Sequence, residues 1–285
     1  MGDTNKAKPR HRDGPRMSLR SEPLATRLRA HALRMTFASR ASHIGSCLSM
    51  ADILAVLYAG ILRLDPATPD WPERDRLVVS KGHAAAILYA ALAERGFLPI
   101  GELAEYGTNG SRLSGHVTRT VPGVEVSTGS LGHGLPIATG MALAAQRAGA
   151  AWRSFCILSD GELDEGSNWE AVQLAQHLGL DNLIAIVDYN KMQSFGTVAA
   201  ISDLHPLADK FRAFNWGVHE LDGHDHAALH AALTAPPPRP GRPTVLVAHT
   251  VKGKGVSFME NQLLWHYRNP DAAQLAAALA EIGAT

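Results

Sequence analysis

From residue 154 onward, short apolar segments alternate with longer segments of helical spacing. Together with one earlier segment, the predicted strands are DRLVVS (75–80), SFCILS (154–159), NLIAIVD (182–188), WGVHEL (216–221) and TVLVAH (244–249). Apolar strands that alternate with helices build a parallel sheet that is covered on both faces. The sequence therefore predicts an α/β fold: a doubly wound, mostly parallel sheet with helices on both faces.

The first half of the chain is predicted to be largely helical. Apolar residues recur at about helical spacing over residues 18–40, and the Ala-rich residues 84–95 predict a further helix. Between them, ASHIGSCLSM reads as a loop of small residues around His43, and Ser49 is expected to cap the helix MADILAVLYAGIL. Residues 105–128 are rich in Gly, Ser and Thr and show no clear period, so they predict a loop.

The size and composition of the chain suit one globular domain. It has 285 residues, of which 46% are hydrophobic and 19% charged, as in an ordinary soluble enzyme. Because 27 basic residues balance 27 acidic ones, no global charge favours nucleic acid or a membrane surface. We predict a disordered basic tail over residues 1–17, followed by one domain over residues 18–285.

The two cysteines, Cys47 and Cys156, are far apart and form no C-x-x-C pair. This usage fits a reducing compartment and argues against a structural zinc site. The longest apolar stretch, MADILAVLYAGIL, contains Asp52 and is too short to span a bilayer. We therefore expect a cytoplasmic protein.

Two predicted strands end in residues that carry hard oxygen ligands. SFCILS leads into SDGELDEGS with Asp160 and Gly161, and NLIAIVD leads into Tyr189 and Asn190. One strand–helix–strand unit separates the two exits, so parallel pairing would bring them to the edge where such sheets bind ligands. Carboxylate and amide oxygens suit Mg²⁺, and a glycine beside the aspartate lets a phosphate approach the backbone. The alternative is a pair of ordinary turns, since both sequences are common at strand exits.

Several of the 14 histidines lie in loops rich in Gly and Ser. A lone loop histidine is more often a surface or capping group. Several of them near strand ends favour a polar site that binds phosphate and hydroxyl groups and transfers protons near neutral pH. The candidates are His43 in SHIG, His83 in SKGHA, His116 in LSGHV, His133 in SLGHG and His266 in LLWHY.

Three short motifs resemble ligand-binding motifs, namely a dinucleotide-binding loop, a P-loop and a zinc site, but we do not assign them these roles. GSLGHG (129–134) follows no clear strand and lacks the G-x-G-x-x-G spacing of dinucleotide-binding loops. KGKG (252–255) lacks the spacing of a P-loop. His224 and His226 in DGHDH could suggest zinc, but we favour a strand exit in which Asp225 caps the next helix.

In chain order, the motifs resemble the amino-terminal, diphosphate-binding half of transketolase. They are ASHIGSCLS, VVSKGHAAAILYA, GSRLSGH, STGSLGHGLPIATGMA, SDGELDEGSNWEA, VDYNKMQSFG and HTVKGKGVSFMEN with WHY. The resemblance runs from about residue 20 to 270, nearly the whole chain. Asp-Gly followed by Asn at this distance is similar to the signature of thiamine diphosphate enzymes. The resemblance implies the diphosphate-binding domain of the thiamine-diphosphate-binding fold.

The resemblance also implies a ligand set for thiamine diphosphate and its cation. Asp160, Asn190 and the main-chain oxygen of Met192 would hold Mg²⁺ or Ca²⁺, which bridges the diphosphate. Gly129 and Leu131 would lie by the aminopyrimidine. The residues at or beside the diphosphate would be His83, Gly161, Lys252 and His266.

The acidic turn is expected to divide its carboxylates between different roles. By resemblance, Glu165 would lie at a subunit interface, beside the glutamate that activates the cofactor. Glu162 is counted among the cofactor-binding residues, although a carboxylate ahead of a helix, like Asp164, would also suit the helix dipole.

The implied activity is the transfer of a two-carbon ketol unit from a ketose, or a ketose phosphate, to an aldose acceptor. Four histidines would line the substrate channel, bind sugar hydroxyls and assist proton transfers: His43, His83, His116 and His266. Three residues depart from many relatives, which have Pro, Gln and Gly where this chain has Ile44, His133 and Ser159. None of these departures removes a proposed ligand.

The family pattern also implies a missing half. In longer relatives, a second domain carries the activating glutamate, the aromatic pocket for the aminopyrimidine and arginines for sugar phosphate. We therefore expect this chain to be the N-terminal subunit of a split transketolase. It would be inactive alone and would pair with a C-terminal subunit on a separate chain, in an α₂β₂ heterotetramer.

Three alternatives remain open at the level of sequence. The chain could be the α subunit of a 2-oxo acid dehydrogenase, although histidines in SKGHA, SGH and WHY suit polyhydroxy substrates better. It could be a thiamine diphosphate carboligase of a specialised pathway. It could also be a paralogue that binds a partner without turnover, although Asp160, Glu165 and Asn190 argue against this.

Overall fold

The apolar segments form one parallel sheet. The computed structural model describes residues 20–284, so the tail predicted over residues 1–17 lies outside the described residues. The sheet has the strand order β1-β2-β3-β5-β4, and every neighbouring pair is parallel. Its strands are β1 (Arg76–Val79), β2 (Ser154–Ser159), β3 (Leu183–Tyr189), β4 (Gly217–Asp222) and β5 (Thr244–His249). The predicted α/β fold is confirmed.

Helices connect the strands and cover the sheet. They are α1 (Ser21–Ser39), α2 (Ile44–Ser49), α3 (Ala51–Val56), α4 (Ala85–Glu94), α5 (Gly134–Ala148), α6 (Gly166–His177), α7 (Val198–Ile201), α8 (Leu207–Ala213), α9 (His226–Thr234) and α10 (Ala272–Glu281). A π-helical segment extends α3, and short 3₁₀ turns occur at Gly82–Ala84, Ile100–Glu105, Gly161–Asp164 and Leu263–His266. No helix within residues 20–284 is both long and apolar enough to cross a membrane.

The two faces of the sheet carry separate apolar cores. Every residue of β2 is buried, and alternate side chains point to opposite faces. Phe155 and Ile157 pack with residues of α1, α3 and α4, whereas Cys156 and Leu158 pack with residues of α5, α6 and α8. A strand that is buried on both faces needs apolar residues at nearly every position. This requirement explains why the strands appear in the sequence as continuous apolar runs.

The segment ASHIGSCLSM differs from the predicted loop. Residues Ile44–Ser49 form helix α2, and all of them are buried, so tertiary packing overrides the weak helix preference of the small residues. Ser49 does not cap α3 either, because Met50 occupies the capping position. The Ser49 hydroxyl instead donates to Oδ2 of Asp188, at 2.6 Å.

The DGHDH segment forms the strand exit that the sequence predicts. Strand β4 ends at Asp222, and Oδ1 of Asp225 accepts hydrogen bonds from the backbone N–H groups of Ala227 (2.9 Å) and Ala228 (3.0 Å). Asp225 is therefore the N-cap of α9.

The register of the sheet brings the two oxygen-bearing exits together. Ser159, at the end of β2, pairs with Asp188 of β3, so Asp160 leaves the sheet beside Asn190. The backbone N–H of Lys191 donates to Oδ2 of Asp160 at 2.5 Å. The proximity expected from one strand–helix–strand unit is therefore present.

A fully buried ion pair lies beneath these exits. Nζ of Lys81, which follows β1, is 2.5 Å from Oδ2 of Asp188, and both side chains are 0% exposed. Asp188 also accepts hydrogen bonds from the hydroxyls of Ser49 and Thr250. Burial disfavours the charged carboxylate, but Lys81 and the two hydroxyls outweigh it and lower the pKa of Asp188. This pair joins the ends of β1, β3 and β5 to α2.

We expect Lys81→Met to lower the free energy of unfolding by about 3–5 kcal/mol, because it leaves the Asp188 carboxylate buried without its cation. Urea denaturation followed by circular dichroism measures this loss.

Arg212→Met is the matched control. Arg212 pairs with Asp209 at the surface, where their side chains are 51% and 63% exposed, and exposed pairs contribute at most about 1 kcal/mol. If both variants lost the same stability, the importance assigned to the buried pair would be wrong.

Candidate active site

Four of the predicted histidines meet above the carboxyl end of the sheet. The ring centroid of His43 lies 5.1 Å from that of His83, 6.0 Å from that of His116 and 4.9 Å from that of His266. The rings of His83 and His266 are 5.8 Å apart. We call these four residues the histidine cluster.

The members of the cluster come from four different segments of the chain. His43 begins the turn into α2 with a positive φ of 72°, an uncommon conformation for a residue with a side chain. Its backbone N–H donates to the carbonyl of His266 at 3.1 Å. The carbonyl of His116 accepts the hydroxyl of Tyr89 at 2.9 Å, which anchors the long loop. Backbone and core contacts therefore hold the rings together.

Burial keeps three of these rings neutral at pH 7. It is the main cause that lowers the pKa of His43 to about 4 and that of His266 to about 3, with nearby positive groups adding to the effect. The pKa of His83 is also lowered, again mainly by burial. A neutral imidazole has one donor and one acceptor nitrogen, so it can bind a hydroxyl or accept a proton.

The oxygen ligands proposed for a cation form a second group. Asp160 and Asn190 are almost fully buried, at 1% and 3% exposure. Oδ1 of Asp160 accepts the backbone N–H of Gly161 at 2.8 Å, and Oδ1 of Asn190 accepts that of Met192 at 3.1 Å. These bonds orient a carboxylate and an amide oxygen at neighbouring strand exits.

The electrostatics of this group fit a bound cation. Burial, followed by the negative charge of Asp188, raises the pKa of Asp160 to about 6. A divalent cation would offset both effects, and carboxylate, amide and carbonyl oxygens are the ligands that Mg²⁺ and Ca²⁺ prefer. The residues present therefore suit such an ion.

Lys252 connects the two groups. Its Nζ lies 3.0 Å from Nδ1 of His266 and 3.4 Å from the carbonyl oxygen of Met192. The residue is 1% exposed, and burial, followed by the charge of Lys81, lowers the pKa of Lys252 to about 8. A buried cation between the histidine cluster and the oxygen ligands is well suited to an anionic ligand.

Glu162 is not the surface carboxylate that its place in the acidic turn suggests. It is 0% exposed, and its carboxylate accepts hydrogen bonds from the Ser80 hydroxyl and from the backbone N–H groups of Gly132 (2.9 Å) and Ser159 (3.3 Å). Burial raises the pKa of Glu162. This carboxylate ties the loop around Gly132 to the ends of β1 and β2, a role that its sequence position does not reveal.

Glu165 is exposed, unlike Glu162, and lies against the same loop. Gly132 has a φ of +86°, and a Cβ there would come within 2.7 Å of the Cβ of Glu165. Asp164 is exposed too, and it accepts a hydrogen bond from Gln193 at 2.8 Å.

The loop that precedes α5 reaches the histidine cluster. A Cβ on Gly129 would lie 3.0 Å from the ring of His116, while Leu131 is half-buried and His133 is exposed. A Cβ on Gly161 would lie 2.9 Å from the side chain of Gln193, which would have to shift to make room for it.

Sequence reasoning missed the residues that support the site from below. Lys81 lies within the quoted SKGHA motif, and Asp188 is a charged residue at the end of an apolar run, which is the signal that could have identified the pair. The sequence gives no sign of the partner of His224 and His226, which both contact Asp52, at 2.7 and 3.0 Å.

Comparison with known proteins identifies the family of the chain. Residues 21–284 match the family model described as "Transketolase, thiamine diphosphate binding domain". The chain is 44% identical over 242 residues to a 6-deoxy-6-sulfo-D-fructose transketolase subunit of Clostridium sp. (strain MSTE9), covering 84% of this chain and 88% of that protein. It is 39% identical over 266 residues to an apulose-4-phosphate transketolase subunit of Phocaeicola vulgatus, covering 93% of each.

Solved structures give the same result. The transketolase of Campylobacter jejuni superposes with a TM-score of 0.87 at 31% identity, covering 92% of this chain and 42% of that one. The transketolase of Leishmania mexicana superposes with a TM-score of 0.86 at 33% identity, covering 93% of this chain and 41% of that one. The chain thus spans about two fifths of the solved transketolases that it matches.

The family match, the identities to named subunits and the shared fold show that the chain belongs to the transketolase family, in which it corresponds to the thiamine diphosphate binding domain.

Proposed function

We propose that this chain is the N-terminal, thiamine-diphosphate-binding subunit of a two-subunit transketolase. With its partner it transfers a two-carbon ketol unit from a ketose or ketose phosphate to an aldose. The observation that carries the proposal is the bridge made by Lys252, which links the histidine cluster to the oxygen ligands at the strand exits.

The cofactor is held at this bridge. Asp160, Asn190 and the carbonyl of Met192 would hold Mg²⁺ or Ca²⁺. Gly129 and Leu131 would lie by the aminopyrimidine, and the diphosphate would be bound at or near His83, Gly161, Lys252 and His266. When bound, thiamine diphosphate would supply the nucleophilic carbon that the transfer requires.

The histidines of this chain bind the sugar and move its protons. Since burial keeps the rings of His43, His83 and His266 neutral at pH 7, their free nitrogens can accept a proton from a donor hydroxyl. The same rings can return the proton to the acceptor oxygen after transfer. His116, which lies at the open side of the cluster, binds a hydroxyl of the sugar.

The partner is a separate C-terminal subunit, and the assembly is an α₂β₂ heterotetramer in the cytoplasm. The relatives of similar length are named as transketolase subunits, and this chain spans about two fifths of the single-chain enzymes. The exposed Glu165 faces the partner's glutamate that activates the cofactor, as the family pattern implies.

A cavity of about 340 Å³ beside the histidine cluster favours a sugar substrate that carries an anionic group. It is lined by His43, His116 and the donor-bearing side chains of Arg40, Ser42, Tyr106 and Tyr267, and none of the lining residues within 20–284 is a carboxylate. Arg40 ends α1 with a φ of 55°, in a left-handed position where glycine is normally favoured. We propose that Arg40 binds the phosphate or a similar anion of the substrate.

The cation site predicts that Asp160→Ala weakens Mg²⁺-dependent binding of thiamine diphosphate by at least about a hundredfold, because even residues outside the ligand shell cost ten- to hundredfold. Titration calorimetry with the paired subunits measures the affinity, and removal of the metal with EDTA should reproduce the loss in the wild type.

Asp164→Ala is the control from the same turn, because Asp164 is exposed and its carboxylate is hydrogen-bonded to Gln193. Its effect should stay within about twofold, as for ordinary surface substitutions. Equal weakening by both variants would contradict the assignment of Asp160 as a ligand.

Partner dependence gives the most direct test of the function. The purified chain should show no ketol transfer, and mixing with the C-terminal subunit should restore a turnover of about 1 s⁻¹ or faster. Transfer from a ketose phosphate to an aldose is compared with decarboxylation of pyruvate. Transfer by the single chain at an ordinary rate would overturn the two-subunit proposal, and decarboxylation without transfer would favour a 2-oxo acid dehydrogenase.

The anion subsite predicts that Arg40→Gly lowers the preference for a phosphorylated over an unphosphorylated ketose by about tenfold or more, the value of a charge-assisted hydrogen bond. Folding should be unharmed, since glycine adopts the left-handed conformation without a steric cost. Ratios of kcat/KM for fructose 6-phosphate and fructose, measured with both subunits, give the preference.

Arg239→Gly is the matched control, because Arg239 lies beside Gly217 at the amino end of β4, away from the carboxyl end of the strands, and donates to Asn215. It should leave the ratio unchanged. If Arg40→Gly kept the wild-type ratio of kcat/KM values, the assignment of Arg40 to the substrate site would be wrong.

A further inference from the structure

The turn that carries Lys252 is held from several sides by residues distant in sequence. The backbone N–H of Val251 donates to Nε2 of His224 at 2.9 Å. The carbonyl of Lys254 accepts Nε of Arg29 at 3.1 Å, and the N–H of Gly253 donates to the carbonyl of Gly45 at 3.0 Å. The position of Lys252 therefore depends on contacts made by its neighbours on both sides.

His224 can make its contact with the turn in only one tautomer. Since the N–H of Val251 is a donor, Nε2 of His224 must be the acceptor and Nδ1 must carry the proton. Nδ1 then donates to Oδ2 of Asp52 at 2.7 Å. The imidazole of His224 thus connects the Asp52 carboxylate, through two hydrogen bonds, to the backbone amide next to Lys252.

Asp52 is itself fixed by two further side chains. Arg29 donates to both carboxylate oxygens, at 3.0 and 2.6 Å, and Nε2 of His226 lies 3.0 Å from Oδ1. Although burial opposes ionisation, the hydrogen bonds from the two histidines and Arg29 lower the pKa of Asp52. We refer to Arg29, Asp52, His224 and His226 as the Asp52 cluster.

The two histidines of the Asp52 cluster differ in the contact made by the second nitrogen of each ring. Both contact Asp52, and both side chains are 12% exposed. Only His224 has its second ring nitrogen bonded to the Lys252 turn, whereas Nδ1 of His226 is buried without a hydrogen-bond partner among residues 20–284. Substitutions of His224 and His226 can therefore separate an effect on the Lys252 turn from an effect on the stability of the fold.

We propose that His224 is a positioning residue for the anion-binding lysine: it holds the Val251 amide, and so Lys252, in the place that the cofactor diphosphate requires. Asp52 and Arg29 act through His224 by fixing its tautomer and orientation. The inference rests on the proposed function in one respect, namely that Lys252 contacts the diphosphate.

Two substitutions of His224 distinguish its contact with Asp52 from its contact with Val251. His224→Asn keeps a donor near Nδ1 for Asp52 but loses the acceptor for Val251, whereas His224→Gln places an acceptor near Nε2. We expect His224→Asn to weaken thiamine diphosphate binding about tenfold, the value of one hydrogen bond, and His224→Gln to restore most of the affinity. Titration calorimetry with Mg²⁺ and the paired subunits measures both.

His226→Asn is the matched control. It removes the contact between Nε2 of His226 and Asp52 but leaves His224 and its bond to the turn in place, so the affinity for the cofactor should stay within about twofold of the wild type. Thermal unfolding of each apo variant reports the structural cost separately. At saturating cofactor, the kcat of His224→Asn should approach the wild-type value, because the reacting groups are unchanged.

The outcomes separate the inference from the proposed function. If the wild-type pair bound no thiamine diphosphate, the proposed function would fail. If the wild type bound it and His224→Asn bound it equally well, or His226→Asn weakened binding to the same degree, the positioning role would be overturned. Tenfold weaker binding by His224→Asn alone, with recovery in His224→Gln, supports it.

Discussion

The active-site end of the sheet depends on one buried ion pair, between Lys81 and Asp188. Two opposite charges in a dry interior are tolerated only when each has nearly all its hydrogen bonds, and here the hydroxyls of Ser49 and Thr250 complete the set around the carboxylate. Because Asp188 and its three donors lie at the ends of three strands and in one helix, the pair requires those elements to meet in one arrangement. The two residue groups of the site are built directly above it.

Two charged side chains above the pair, Asp160 and Lys252, are buried without full compensation of their charges. Asp160 lies close enough to Asp188 for the second carboxylate to disfavour its ionisation, and Lys252 is a buried cation whose charge burial disfavours. A divalent cation would offset the first effect, and a diphosphate would offset the second. His224 bonds to the turn that carries Lys252 and is itself hydrogen-bonded to Asp52. The charges of the site would therefore favour a cation and a diphosphate bound together.

Much of this could be predicted from the sequence because the relevant signals are local. Apolar runs indicated the five strands, and their order indicated that Asp160 and Asn190 would be neighbours. The capping role of Asp225 followed from its place before a helix. The loop predicted around His43 was wrong, because α2 is stabilised by burial in the core and not by the helix preference of its small residues. The burial of Glu162 was not foreseen for a related reason, since it depends on Ser80 and Gly132, far away in the chain.

By itself, the sequence determined the fold class, the exits from the strands and the family, since periodicity and motif spacing are properties of short segments. Only the tertiary structure decided which polar residues are buried and what each one contacts. Asp52 and His224 are separated by most of the chain, yet they share a hydrogen bond of 2.7 Å. Such contacts exist only after the strands have paired and the helices have packed, because burial and hydrogen-bond geometry are set by all the neighbours of a residue together.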